Sequence, residues 1–172
     1  YSYCRTREKL DPVRFLSNNS TGKMGYAIAR MAMLRGADVT LISGKVSLEP
    51  VPFVKMVDIA SAEDMYNAVI DSAKDTDIII KAAAVADYRP SNVSDEKIKK
   101  KDGDMSIPLE RTKDIIGTLG SSKRDGLFLC GFSMETEHML ENSKAKLEKK
   151  NLDMIVANNV KVAGAGFGTD TN

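Results

Sequence analysis

Lys97, Lys99, Lys100 and Lys101 crowd four ammonium groups into five positions. Such a run is ordinarily a solvated face. Beside a binding loop, mobile cations could also close over a polyphosphate and stabilise developing charge. Asn18-Asn19-Ser20-Thr21-Gly22-Lys23-Met24-Gly25 is a polar glycine loop running into a helix. Its backbone N–H groups, with Lys23, suit a phosphate or carboxylate. A plain helix capped by Ser20 or Thr21 fits the same residues. The loop lacks the Ser or Thr that follows the lysine in a Walker A loop, and the full spacing of a dinucleotide fingerprint. Ala82 to Pro90 places small residues before Asp87. Small residues admit a ligand close to the backbone, and Asp87 could hold a metal ion or a polar ligand group. Tight packing with a surface turn is the plainer alternative. Lys146 and Lys150 are one helical turn apart and share a face, where solubility alone would account for them. Phe132 closes a strand, where it is core by default or a platform for a base.

The elements that must position these residues follow from hydrophobic period. Met24, Ala27, Ile28, Met31 and Leu34 recur at helical spacing, and Gly36 sits at the stop. Val39 to Ile42 reads as a buried strand ended by Gly44, and Phe53 to Ile59 as another. Ser61 and Asp64 resemble a capping box, with Met65, Ala68, Val69 and Ala73 on the helix's apolar face. Asp77 to Ile80, Leu127 to Phe132 and Met154 to Ala157 read as further strands, with a helix over Thr136 to Lys149. Strand runs without polar alternation, joined by helices, predict a mostly parallel α/β sheet covered on both faces. Residues 90–110 differ. They are polar, then alternate at Met105, Ile107 and Leu109, which predicts a flap ending in an exposed antiparallel strand. Ligands of such folds bind at the carboxyl ends of the strands.

The whole chain, 172 residues, fits one domain, 1–172. Lys plus Arg is 25 and Asp plus Glu is 24, a balance that argues against a nucleic-acid binder driven by bulk charge. Mean hydropathy is -0.25, and no apolar run reaches the roughly 20 residues that span a bilayer. Cys4 and Cys130 form no CxxC pair and read as free thiols of a reducing cytoplasm. The one histidine, His138, has no evident acidic or metal-ligand partner, so zinc and His-based triads are poorly supported and no metal ligand is assigned. The methionines are expected on core faces. Tyr1 to Arg7 is a poor opening strand and Gly166 to Asn172 is turn-rich, so the chain reads as truncated at both ends.

Thr6-Arg7-Glu8-Lys9-Leu10-Asp11-Pro12-Val13-Arg14-Phe15-Leu16-Ser17-Asn18, followed by Ser20 to Gly25, resembles the signature of bacterial phosphopantothenate–cysteine ligases of coenzyme A biosynthesis. Ala82 to Tyr88, the run led by Lys97, Gly131-Phe132 with Glu135-Thr136, and Lys150-Asn151-Leu152-Asp153 recur in the family's order. The resemblance covers nearly the whole chain. It implies a Rossmann-like fold, a cytoplasmic homodimer, and CTP with Mg²⁺. It implies a two-stage reaction in which 4'-phosphopantothenate becomes an acyl-cytidylate and cysteine then displaces CMP. It assigns Lys97 to forming that intermediate, Asn18 to its pantothenoyl part, and Arg14 to the second stage. It gives Ala83 and Ala84 close backbone contacts and Asp87 the nucleotide side. Lys113, Asp114, Ile115 and Ile116 match a CTP-binding stretch, Phe132 lies near cytosine, and Lys146 and Lys150 reach the nucleotide. It also implies fusion to a flavin-dependent decarboxylase. Cys4 and Arg5 stand where the family carries a Gly-rich turn, and Lys113 where proline is common. The competing readings are an NAD(P)-dependent Rossmann oxidoreductase and a non-catalytic fragment of the ligase fold.

Overall fold

The computed structural model describes residues 2–3, 5–100, 102–135 and 137–159. Its strands are β1 (Ser2–Tyr3), β2 (Arg7–Lys9), β3 (Phe15–Ser17), β4 (Thr40–Gly44), β5 (Lys55–Ile59), β6 (Ile78–Lys81), β7 (Tyr88–Pro90), β8 (Leu109–Arg111), β9 (Phe128–Glu135) and β10 (Met154–Asn159). Its helices are α1 (Lys23–Leu34), α2 (Ala62–Ser72), α3 (Ile115–Ser121) and α4 (Met139–Lys149). Strands β1-β4-β5 form one parallel sheet and β10-β9-β6 another. β1 also lies against β6, so the sheets meet edge to edge. Read across both, the order is β5-β4-β1-β6-β9-β10, the Rossmann arrangement with its switch point between β1 and β6.

Burial explains why these runs became sheet. Leu41 and Ile42 are neighbours in β4, point to opposite faces, and are both fully buried. Leu41 packs with Ala29, Val39 and Val51 under α1. Ile42 packs with Met65, Val69, Ile79 and Leu129 under α2 and α3. Helices therefore cover both faces at β4. On β6 the expectation of an apolar run buried throughout is too strong: Ile79 is buried, but Ile78 is 53% exposed.

The helix ends separate two kinds of signal. Ser61 caps α2 as expected, accepting from Asp64 N–H at 3.1 Å while Asp64 accepts from Ser61 N–H at 2.9 Å. At α1 neither Ser20 nor Thr21 is the cap. Gly22 takes that position at φ 86, a left-handed backbone that favours glycine and brings no capping side chain of its own. Gly36 ends it as expected, also at φ 86.

Other boundaries move. β5 starts at Lys55, because Phe53 turns outward at φ 62 and is 93% exposed. The flap's strand is Leu109–Arg111, paired antiparallel with β7, and Met105 and Ile107 lie before it without ladder partners. α4 begins at Met139 and β9 runs on to Glu135. Met65 is fully buried, whereas Met24, Met31, Met105, Met134 and Met154 are exposed, so most of the nine methionines do not sit in the core as expected. Cys130 is a buried free thiol whose pKa burial pushes up. Cys4, Lys101, Thr136 and Gly166 to Asn172 lie outside the described residues.

Candidate functional site

The β2–β3 hairpin organises the switch point through buried polar groups. Thr6, Glu8 and Asp11 are all buried. Thr6 Oγ1 accepts from Ala86 N–H at 3.2 Å, and Glu8 accepts from Ala62 N–H at the start of α2, at 2.9 Å. Asp11 accepts from the N–H groups of Val13 and Arg14 at 2.8 and 2.7 Å, which fixes the turn. Its other oxygen takes a two-pronged contact from Arg14, at 2.9 and 2.5 Å, and accepts from Ile98 N–H at 3.1 Å. Arg14 in turn donates to Ile98 O at 2.6 Å. One residue of the lysine-rich segment, Ile98, is thus clamped at both its N–H and its C=O, directly after Lys97. The Arg14 guanidinium and these N–H groups hold the Asp11 carboxyl far below the usual carboxylate range. Lys97 itself is exposed. Just past β3, Asn18 donates from Nδ2 to Ala84 O at 2.9 Å, joining the hairpin to the loop after β6.

Two cavities open beside these residues. The larger, about 930 Å³, lies at the start of α1 and is lined by Ser20 to Ala27, the loop from Leu48 to Phe53, and Ala82, Ala83 and Ala84. Phe132, Ser133 and Met134 of β9 complete it. Backbone and apolar side chains dominate this wall, with Lys23, Arg30 and Glu49 as its charged groups.

The smaller cavity, about 470 Å³, is bounded by the end of β6, the middle of β9, the β7–β8 ladder, α3 and the end of α4. It brings together Asp87, Lys113, Asp114, Ile115, Ile116, Phe132, Lys146 and Lys150, which stand far apart in the chain. The ladder explains part of this convergence. Thr112 donates from N–H to Asp87 O at 3.0 Å and from its hydroxyl to Ala86 O at 2.6 Å. Asp87 is thereby set beside Lys113. The Lys113 ammonium reaches Glu63 at 2.6 Å and lies over the Tyr66 ring. Asp114 caps α3, accepting from Gly117 N–H at 3.1 Å, and pairs with Lys150 at 2.9 Å. Burial works against its ionised form, but these contacts win and its pKa is lowered. Lys146 donates to Ser133 Oγ at 3.2 Å, bridging toward the larger cavity. Phe132 lines both cavities.

The predicted residues therefore divide. Ala83 and Ala84 line the larger cavity, not the one holding the other expected nucleotide contacts. Lys97, Asn18 and Arg14 line neither, and sit on the hairpin and its clamped segment. His138, expected to lack an acidic partner, lies 3.4 Å from Glu141 in an exposed pair at the start of α4. Among the described residues no group of three or more His, Cys, Asp or Glu could hold a metal ion. No helix among them is long and apolar enough to cross a membrane.

Sequence reasoning missed two basic residues of the smaller cavity, Lys81 and Arg111. Lys81 hides at the end of an isoleucine run, where it reads as a strand terminus. A basic residue directly after a buried parallel strand, at the carboxyl end, was the available signal.

Residues 3–172 match the model of the DNA/pantothenate metabolism flavoprotein C-terminal domain. The coenzyme A biosynthesis bifunctional protein CoaBC of Bacillus subtilis is 52% identical over 168 residues, covering 97% of this chain and 41% of that protein. Its Escherichia coli K12 counterpart is 47% identical over 170 residues, covering 97% of this chain and 42% of that one. The chain thus spans under half the length of these relatives. A crystal structure of the C-terminal domain of a CoaBC protein superposes with a TM-score of 0.81 at 48% identity, over 92% of this chain and 76% of that one.

Proposed function

The chain belongs to the DNA/pantothenate metabolism flavoprotein C-terminal domain family, and from that premise we propose that it joins 4'-phosphopantothenate to cysteine in coenzyme A biosynthesis, using CTP. The observation that carries this reading is the convergence of eight expected nucleotide residues on one cationic cavity. A carboxylate is a poor acyl donor because oxide would have to leave. In the first stage, the carboxylate oxygen of 4'-phosphopantothenate attacks the α-phosphorus of CTP and pyrophosphate departs. In the second, the cysteine amine attacks the acyl carbon, the C–O bond to phosphate breaks, CMP leaves, and the amine loses a proton.

The work left to the protein is positioning and charge stabilisation, not covalent attack. In this reading the smaller cavity holds the nucleotide. The Lys113 to Ile116 stretch and Phe132 contact the base, while Lys146 and Lys150 neutralise phosphate. Asp87, the carboxylate of this wall not paired with Lys150, would hold a Mg²⁺ ion bound with the triphosphate, which would further neutralise phosphate charge. The larger cavity receives the pantothenoyl part, between the start of α1 and the Ala83–Ala84 backbone. Asn18, pinned to Ala84, holds that part by its amide. Lys97 reaches the reacting phosphate from the clamped segment, and Arg14 acts by holding that segment through the second stage. The same reading makes the protein a cytoplasmic homodimer that acts alongside a flavin-dependent decarboxylase.

Pyrophosphate release with CTP, Mg²⁺ and 4'-phosphopantothenate, with and without cysteine, tests the proposal. The expected result is CTP-dependent release, with CMP and the cysteine amide appearing only when cysteine is present. Binding of CTP without any turnover would support the non-catalytic reading instead. Protection against melting by NADPH but not CTP would support the oxidoreductase.

A further inference from the structure

Lys81 ends β6 and lines the smaller cavity. It is half-buried, and among the described residues no hydrogen bond or ion pair holds its ammonium. Its neighbours on the cavity wall have other engagements. Lys150 is paired with Asp114, Lys113 with Glu63, and Lys146 reaches Ser133. Arg111 adds a further cation, and the opposing carboxylates on this wall are Asp87 and Asp114. An unpaired, partly desolvated cation among like charges is costly, and an entering anion relieves that cost.

We propose that Lys81 is an additional phosphate-binding residue of this cavity, closing its floor against the nucleotide. The inference rests on the nucleotide reading of the cavity and extends it to a residue outside the family resemblance. A lysine on a strand end has its Cα fixed by the sheet, so its ammonium is presented to the ligand with less conformational freedom than one on the flap.

A second consequence follows from the surroundings. Burial, with Lys150 and then Lys146 nearby, pushes the Lys81 ammonium below its ordinary pKa of 10.5, against the pull of Asp114 and Asp87. A bound polyphosphate reverses that balance. Binding then takes up a proton, and affinity falls as pH rises through the pKa of the free protein. The charged groups facing Lys81 are Lys146 and Lys150 from α4, Asp114 and Lys113 at α3, and Asp87 and Arg111 from the ladder. Phosphate's own titration, near about pH 6, lies outside the alkaline range.

The test is calorimetric titration of the intact chain with CTP from pH 7.5 to 9.5, in buffers of different ionisation heat, for the parent, Lys81→Met and Lys81→Arg. The expected result is a Kd about tenfold weaker in Lys81→Met, proton uptake in the parent, and none in either variant. Lys81→Arg keeps tight binding, because its charge does not titrate. Should Lys81→Met fail to fold, loss of proton uptake in Lys81→Arg still carries the proposal. Equal CTP affinity and equal proton uptake in all three proteins would overturn it while leaving the nucleotide reading intact. If CTP fails to bind the parent, that reading falls, and tripolyphosphate becomes the probe. Tripolyphosphate binding weakened in Lys81→Met would keep Lys81 as an anion ligand, and no binding would overturn it.

Discussion

The two cavities share Phe132 but are walled differently. The larger one is built from the start of α1, three alanines and an apolar loop, so it selects by shape and backbone contact. The smaller one is built from the ends of several elements and carries five basic side chains against two carboxylates, so it selects by charge. In the proposed reaction the contrast suits holding the pantothenoyl part of one substrate beside the polyphosphate of the other. It also shows that volume is no guide to where the charge chemistry lies. The boundary between the two cavities runs along β9, where Phe132 and Ser133 alternate and Lys146 crosses to Ser133.

Lys97 lies outside both walls, and its replacement tests whether the two halves are worked by one residue. Lys97→Gln should slow pyrophosphate release by about 100-fold or more, the scale of losing one preorganised charge partner in a transition state. Melting should be unchanged, since the side chain is exposed. Release at the parental rate would remove Lys97 from the first stage and leave the cavities without their link.

The next largest effect should come from a glycine. A Cβ at Gly120 would land on the Lys150 carbonyl oxygen, and Asn151 donates to Gly120 O at 3.0 Å across the same junction. Close approach of α3 and the end of α4 is what brings Lys150 to the smaller cavity. Gly120→Ala should cost about 1–3 kcal/mol as overpacking. In protein that remains folded, CTP should bind several-fold more weakly, with the larger cavity untouched. Chemical denaturation and CTP titration give both numbers.

Much of this was readable from residue order, but unevenly. Leu41 and Ile42 announced a strand buried on both faces, and Ser61 with Asp64 announced the start of α2, because those signals are local. The α1 cap was not readable: Ser20 and Thr21 are both good caps, and only the left-handed turn at Gly22 decides against them. Asp11 looked like part of a motif. Its contacts with Ile98 depend on a hairpin meeting a segment more than 80 residues away, which no local pattern encodes. α3 was missed because a helix of 7 residues gives little periodicity. The nucleotide residues came from family resemblance. The convergence of eight of them on one cavity is a tertiary fact, and Lys81, outside that resemblance, shows what such a route leaves behind.

A smaller effect isolates charge within the smaller cavity. Asp114→Asn keeps a good helix cap and removes the partner of Lys150. The Asp114 pKa is lowered in the folded chain, so its stabilising contribution is present above the unfolded value near 3.8 and is lost as pH falls through the folded one. The side chain is 55% exposed, so solvent screens the pair and the change in Tm at neutral pH should be only about 2 °C. The melting temperature of the variant should depend less steeply on pH between 5 and 2 than that of the parent. An identical acid limb would mean that Lys150 is held by packing at the Gly120 junction and not by charge.

The smallest change addresses the larger cavity. Phe53 lines it, stands 93% exposed, and holds a left-handed backbone at φ 62. Asparagine tolerates that backbone better than an aromatic residue, and little buried area is lost with the ring. Phe53→Asn should therefore leave stability within about 0.5 kcal/mol of the parent. If the apolar wall receives the pantothenoyl part, KM for 4'-phosphopantothenate should rise about two- to threefold while the Kd for CTP stays fixed. The opposite pattern, weaker CTP with unchanged KM, would move the nucleotide into the larger cavity and invert the division of labour. Steady-state kinetics and CTP titration on the same preparation separate the two, because no described residue of the Phe53 loop lines the smaller cavity.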